Sequence, residues 1–332
     1  MQHALHVEEY DVDDSAAVEA SRQILESARA VDSPFLPPLS SFRRAMNVRH
    51  SWDGTPERHL LFRTEGRPVA VADVEVCEWD NRDLVWFDLV VDPAQRNRGY
   101  GAEVLHQVRD LARGLGRAKL GGGGWATPAA EAFAERHGFA RVQDEIYRVV
   151  APAELAPGFV EAAKDESVTP AGDYELVRYV GHAPEELLPA LADLTSAIND
   201  APLDDLDVED EVYPVERIRS YEHATIASGH RLYRIVARHR TTGEPAGHTV
   251  VAVDCESPSL AHQHDTAVVR AHRGHRLGLL LKADMMSWLA DVEPQITTIG
   301  TFNAESNDHM IAVNERLGYR VTGRYLAFQQ RE

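Results

Sequence analysis

Trp86-Phe87-Asp88-Leu89-Val90-Val91, followed by Arg96-Asn97-Arg98-Gly99-Tyr100-Gly101, decides the fold, because the chain says it twice. The second version reads His264-Asp265-Thr266-Ala267-Val268-Val269, then Arg273-Gly274-His275-Arg276-Leu277-Gly278. The acidic residues (88 and 265), the leading arginines (96 and 273) and the closing glycines (101 and 278) are all 177 positions apart. A later pair, Gly138-Phe139 and Gly318-Tyr319, is offset by 180, so the register persists across most of each half. A fixed internal offset of this kind marks a duplicated domain.

Each copy orders a hydrophobic strand, a tight glycine-containing loop and an amphipathic helix. The first amides of a helix have no intrahelical acceptor and carry partial positive charge, so a pyrophosphate can sit there. Flanking arginines add charge, and glycines let the backbone come close. A Walker loop requires Gly-Lys-Ser/Thr after four intervening residues, and the sequence has no such run. A dinucleotide fingerprint requires a third small residue three places after Gly101, where Val104 stands. What remains, Arg-x-x-Gly-x-Gly behind a hydrophobic strand, resembles the acyl-CoA loop of the GNAT superfamily of N-acetyltransferases. Arg96, Gly99 and Gly101 match that loop; in the second copy Arg273 and Gly278 match, while Arg276 stands where the first glycine is expected.

The resemblance implies an α/β fold with two GNAT-like domains, each a mixed, mostly antiparallel sheet flanked by helices. It implies acetyl-CoA as the donor, gripped by Arg96, Asn97, Arg98, Gly99, Tyr100 and Gly101 and by Arg273, Gly274, His275, Arg276, Leu277 and Gly278. The preceding strands, with Val90, Val91, Ala267, Val268 and Val269, would lie along the pantetheine arm and offer oxyanion-binding amides near Val90 and Ala267. Asn303 and Asn307 resemble the asparagines that hold pantetheine in relatives; for Asn307 a helix cap is the alternative.

The implied chemistry is direct attack of an amine on an acyl thioester. A protonated amine has no lone pair, so a group must accept a proton, and Asp88 and Asp265 are the candidate bases. The alternative for each is a hydrogen bond to a neighbouring strand or helix. Many relatives protonate the leaving thiolate with a tyrosine four residues before the Gly-aromatic pair; here those positions hold Ala134 and Asn314. Alanine can donate nothing and asparagine can hydrogen-bond sulfur without titrating. By these residues the second copy, with Asp265, Asn303, Asn307 and Asn314, is expected to carry most turnover. A non-catalytic CoA-binding or scaffold protein, with one or both copies degenerate, is the competing reading.

Length and composition fit two domains: 332 residues, 44% hydrophobic, placed at 1–150 and 173–332 with a Pro/Gly-containing linker at 151–172. A formal charge of −19 argues against nucleic acid or an anionic membrane as the main partner. No run approaches a membrane span and Met1-Gln2-His3-Ala4 lacks a leader pattern, so the expectation is a cytoplasmic protein, monomer or homodimer, acting on a small amine. Cys77 and Cys255 are read as reduced, buried strand residues, and the sixteen histidines contain no convincing metal set. Six carboxylates within Asp204–Glu211 suggest a cationic acceptor for the second copy, or else a solvated acidic loop. Gly121-Gly122-Gly123-Gly124 reads as a flexible stretch after a strand.

Overall fold

The computed structural model describes residues 5–331; the Met1–Ala4 segment read above for a leader lies outside them. The first half runs β1 (His6–Tyr10), α1 (Ser15–Asp32), α2 (Ser41–Arg49), β2 (Glu57–Thr64), β3 (Arg67–Glu75), β4 (Leu84–Val91), α3 (Tyr100–Gly114), β5 (Lys119–Trp125), α4 (Pro128–Arg136) and β6 (Ala140–Val150). The second continues with α5 (Phe159–Val168), β7 (Tyr174–Val180), α6 (Leu188–Ser196), α7 (Val215–Ala227), β8 (His230–His239), β9 (Pro245–Asp254), β10 (Leu260–Val268), α8 (Leu277–Val292), β11 (Thr298–Ala304), α9 (Asp308–Arg316) and β12 (Arg320–Arg331).

Local sequence accounts for these elements. Asp14 caps α1 by accepting from the Ala17 amide at 2.9 Å, and Val104, Leu105, Val108 and Ala112 recur at helical spacing on the buried side of α3. The β2–β3 hairpin turns through Glu65 and Gly66, both at positive φ, the backbone a two-residue turn between twisted strands requires.

The chain forms two compact units whose boundaries differ from the repeat boundaries. The first comprises Met1–Glu145, Asp204–Asp210 and Gly323–Glu332; the second comprises Ile146–Leu203 and Glu211–Thr322. In the first unit β1-β2-β3-β4-β5-β12 are neighbours in that order. All these pairs are antiparallel except β4–β5. In the second, β7-β8-β9-β10-β11 follow the same plan, with β10–β11 parallel and Ile146–Val150 of β6 beside β11. Each half therefore gives its closing strand to the other half's unit. The repeat offset locates a strand along the chain but carries no information about which sheet receives it. Nor is 151–172 a bare linker: α5 packs on α8, and Leu155 and Val160 join the core of the second unit.

Helices cover both faces of each sheet. In the first unit α3 and α4 pack with Phe62, Val85, Phe87 and Leu120, and α1 and α2 cover Leu61 and Val71 on the other face. In the second, α8 lies in the larger core while α6 and α7 cover Val236, Leu232 and Val250. The glycine run is strand, not loop. A Cβ added at Gly121 would come within 2.4 Å of the Trp86 ring, and one at Gly123 within 2.2 Å of the Tyr325 ring, so aromatic side chains lying across β5 dictate glycine there. Cys77 and Cys255 lie just past the ends of β3 and β9, half-buried and exposed, because both strands end before them. Among the described residues no helix is long and apolar enough to cross a membrane.

Candidate functional site

Alternation along β4 sends Phe87 to the α3 side and Val90, with Asp88 two residues before it, to the α1–α2 side. The parallel pairing of β4 with β5 runs from Leu84↔Lys119 to Phe87↔Gly122 and stops there, although β4 continues to Val91 and β5 to Trp125. Asp88 is thus the first residue past the fork. In the second unit the pairing of β10 with β11 ends at His262↔Gly300. A register shift between Gln263 and Thr266 then bulges out His264 and Asp265.

Asp88 closes a polar row that crosses four strands: Tyr10 on β1, His59 on β2, Asp73 on β3 and Asp88 on β4 are successive Cα partners. Arg44, buried on α2, holds the row together. Its guanidinium donates to both oxygens of Asp73, at 2.7 and 2.8 Å, to the Tyr10 hydroxyl, and to Ser21 Oγ at 2.9 Å. His59 Nδ1 lies 2.7 Å from Asp73 Oδ1. Burial alone would raise the Asp73 carboxyl, but Arg44 and the hydrogen bonds from His59 and Arg44 hold it well below the usual carboxylate range.

Asp88 itself reaches water, yet protein atoms crowd its carboxyl, and lost hydration pushes it up to about 6. Asp73 adds to that rise, while the Tyr325 hydroxyl, donating to Asp88 Oδ1 at 3.0 Å, opposes it. Nearby Glu57 is raised to about 8, by burial first and then by Asp73 and Glu75. In the second unit Asp265 is likewise pushed up to about 6 by burial; there Arg234 pulls it down and Glu211 pushes it up. Arg234 is the Cα partner of Val250, the counterpart of Asp73, and so takes the place of His59; it pairs with Glu222 at 2.7 Å, both buried. His248, where the first copy has Val71, is kept neutral by burial and by Arg234.

The two loops share one backbone. Asn97 and Gly99 are at positive φ, and so are their counterparts Gly274 and Arg276; only the glycine positions differ. Arg276 adopts the left-handed conformation at a cost of about 1–2 kcal/mol, and its side chain pairs with Glu166 of α5 at 3.2 Å. Both motif arginines are engaged by acceptors of the protein itself. Arg96 donates to the Val91 carbonyl and pairs with Asp32 at the end of α1. Arg273 repeats this with the Val268 carbonyl and Asp200, which also takes Arg270. Gly101 is required for packing, since a Cβ there would meet the Phe133 ring at 2.9 Å, whereas Gly278 has open space around it. His275 lies 3.2 Å from the Pro170 carbonyl, Leu277 is core, and Arg98 is exposed. What the first loop leaves for an anion is the uncapped first turn of α3 after Gly99, with Arg98 beside it.

The asparagines of the second copy are otherwise engaged. Asn314 is fully buried and its side-chain nitrogen donates to Asn303 Oδ1. Asn307 caps α9, accepting from the Met310 amide at 3.1 Å. The acidic run does not flank Asp265 either. Asp204–Asp210 straps the first unit, with Asp207 on Lys119 at 3.1 Å, the Asp207 amide on Gln329 at 2.7 Å and the Glu209 amide on Asn81 at 2.8 Å. Only Glu211 faces Asp265 in the second unit.

Residues 25–139 match the model of the acetyltransferase (GNAT) family. A tandem GNAT protein from the clavulanic acid biosynthesis pathway superposes with a TM-score of 0.80 over 99% of this chain and 98% of its own, at 24% identity. The chain has the fold of a tandem GNAT protein, and the family model falls within its first half. A GCN5-related N-acetyltransferase from Sphaerobacter thermophilus is also similar, at TM-score 0.68, 16% identity and coverage of 98% of this chain and 95% of its own. Among curated proteins none matches. A GNAT fold supports acyl-CoA-dependent acetyl transfer in general, and in this chain the polar row, Arg44 and Tyr325 are the candidate site residues that motif reading does not find. Their signal lies in strand register and, for Tyr325, in the exchanged strand.

Proposed function

We propose that this protein moves the acetyl group of acetyl-CoA to a small primary amine by direct attack, with turnover in the first unit. The observation that carries the reading is Asp88: the first residue past the β4–β5 fork, with a carboxyl held at about 6 and a hydroxyl donor on one oxygen. At neutral pH such a group is mostly ionised, yet far more basic than a free aspartate, which suits proton acceptance from an amine. The first-turn amides of α3 and Arg98 would hold the pyrophosphate, with Asn97 and Gly99 setting the loop. The amides near Val90 and Val91 would face the acyl group, a contribution worth about 3 kcal/mol in comparable sites. Asp88, mostly ionised at neutral pH, favours an amine that arrives as a cation, whereas Glu57 is mostly protonated there and the charge of Asp73 is met by Arg44.

The second unit supports a second reading for itself alone. With the side-chain nitrogen of Asn314 committed to Asn303, and Arg234 and Val250 in place of His59 and Asp73, it fits CoA binding without turnover better than catalysis. The test is steady-state thiol release from acetyl-CoA across an amine panel. Asp88→Asn should lower turnover about 10²-fold or more, and Asp265→Asn should leave it within twofold. Calorimetry on Gly99→Glu and Gly278→Glu variants reads CoA occupancy of each loop. CoA binding without thiol release for any amine would leave the scaffold reading standing.

A further inference from the structure

Asp88 receives its hydroxyl donor from 237 residues further along the chain. Tyr325 comes in on β12, whose antiparallel pairing with β5 runs from Tyr325↔Trp125 to Arg331↔Lys119. To reach β4 its ring must pass over β5, and it does so above Gly123, where any Cβ would lie 2.2 Å from the ring. The ring is fixed on its other sides. Trp125 packs against it edge-on at 5.6 Å and Phe35 packs edge-on against Trp125 at 4.9 Å. A Cβ at Gly323 would strike Phe35 at 2.4 Å, and neighbouring Arg324 is tied to Asp144. The second unit repeats the device: Tyr147, on the strand received from the first half, lies over Gly300, the counterpart of Gly123, and stacks on Phe302 at 4.8 Å.

We propose that Tyr325 is a positioning residue for acyl transfer in the first unit: its hydroxyl pins Asp88 Oδ1 and leaves Oδ2 directed to the incoming amine. This rests on the proposed function of that site. In the step, the amine, having lost its ammonium proton to solvent, forms the C–N bond with its lone pair, and the C–S bonding pair leaves with sulfur. One N–H proton passes to Asp88 Oδ2, the thiolate takes a proton from solvent, and Asp88 returns its own to solvent. Burial and the adjacent Asp88 keep the phenol protonated, so Tyr325 acts as donor and never as base. The groups facing this pair are Asp73 on β3, His59 and Glu57 on β2, Arg44 on α2 and, beside Tyr325, Glu145 on β6. None of these replaces the hydroxyl, since no other hydrogen bond reaches the Asp88 carboxyl among the described residues.

The experiment uses the full chain with Tyr325→Phe, Gly123→Ala and the double variant. Tyr325→Phe should lower kcat about tenfold, leave KM for acetyl-CoA within twofold, and move the acidic limb of the kcat/KM profile up by about one pH unit. Gly123→Ala, which keeps the hydroxyl but displaces the ring, should reproduce both effects, and the double variant should be no worse than either single. A lower rate with an unmoved acidic limb, or an unchanged rate, overturns the proposal. A ¹³C titration of the Asp88 carboxyl in wild type and Tyr325→Phe reads the same hydrogen bond without turnover. An absent shift there overturns the positioning role even if the enzyme is active, whereas a shift in a protein that acetylates no amine overturns only the function assigned to the site.

Discussion

Replacing Lys282 with Met should stabilise the second unit, and more so in acid. Lys282 lies on α8 at 2% exposure, its ammonium 4.8 Å from the centroid of the Tyr319 ring, where the first copy has Leu105 and Phe139 in one apolar core. Burial pushes it down to about 7 from 10.5. The unfolded chain therefore holds this proton more tightly than the folded one. Its stabilising contribution is complete only above the unfolded value and is lost as pH falls through the folded one. A gap of about 3.5 units amounts to about 4–5 kcal/mol below pH 7 and about 2 kcal/mol at pH 9. Methionine keeps the length of the side chain and removes the charge; the lost cation–ring attraction takes back about 1–2 kcal/mol. The net gain expected is about 2–4 kcal/mol at pH 6 and about 1 kcal/mol or less at pH 9. Urea titrations followed by hydrogen exchange of the α8 amides would measure it. An equal gain at both pH values, or a loss at pH 6, refutes the reasoning.

Three further outcomes are expected. In wild type, kcat/KM should fall tenfold per pH unit below about 6, because Asp88 must be ionised to take a proton and its folded value is raised to about 6; a limb near 4 in the pH–rate profile would contradict this. Asp73→Asn leaves the buried Arg44 guanidinium without its counter-charge and should cost about 3–5 kcal/mol by chemical denaturation, while Arg44→Met combined with Asp73→Leu should cost less. Gly278→Ala should gain about 0.5–1 kcal/mol in thermal or urea unfolding, since nothing lies within 4 Å of the new methyl, whereas Gly101→Ala should destabilise by forcing Phe133 aside at 2.9 Å.

The duplication, the loops and most helices are legible in the sequence because each is a local pattern. Asp14, the α3 apolar spacing and the Glu65-Gly66 turn all act over a few residues, and the structure follows them. The helices α2, α5 and α7 escape such reading because their apolar faces are short and interrupted by charge: Arg44 and Glu222 are buried on α2 and α7. The loop geometry is half legible. Positive φ is needed at two positions, and glycine marks only Gly99 in one copy and Gly274 in the other. Asp88 is found from its repeat, but its partners require register. His59 and Asp73 meet only through the β2–β3–β4 pairing, and the pair of Arg96 with Asp32 joins residues 64 apart in the chain. The burial of Asn314 is not legible, because a buried amide and a ligand-facing one look alike in sequence.

The strand exchange also bears on how the protein is made. β5 is complete at residue 125, but the strand that pairs with it begins at residue 320, so during synthesis the first sheet waits with an open edge while some 200 further residues are added. At about 5–20 residues per second that is on the order of 10–40 seconds. An unpaired edge is a template for the wrong partner. The strand at hand is β6 of the same half, followed by its own helix, and a nascent chain that docks it against β5 would build a closed single copy that must reopen before β12 can enter. Slow exchange of this kind would appear as a late phase in the recovery of the Tyr325–Asp88 contact, well after the helices have formed.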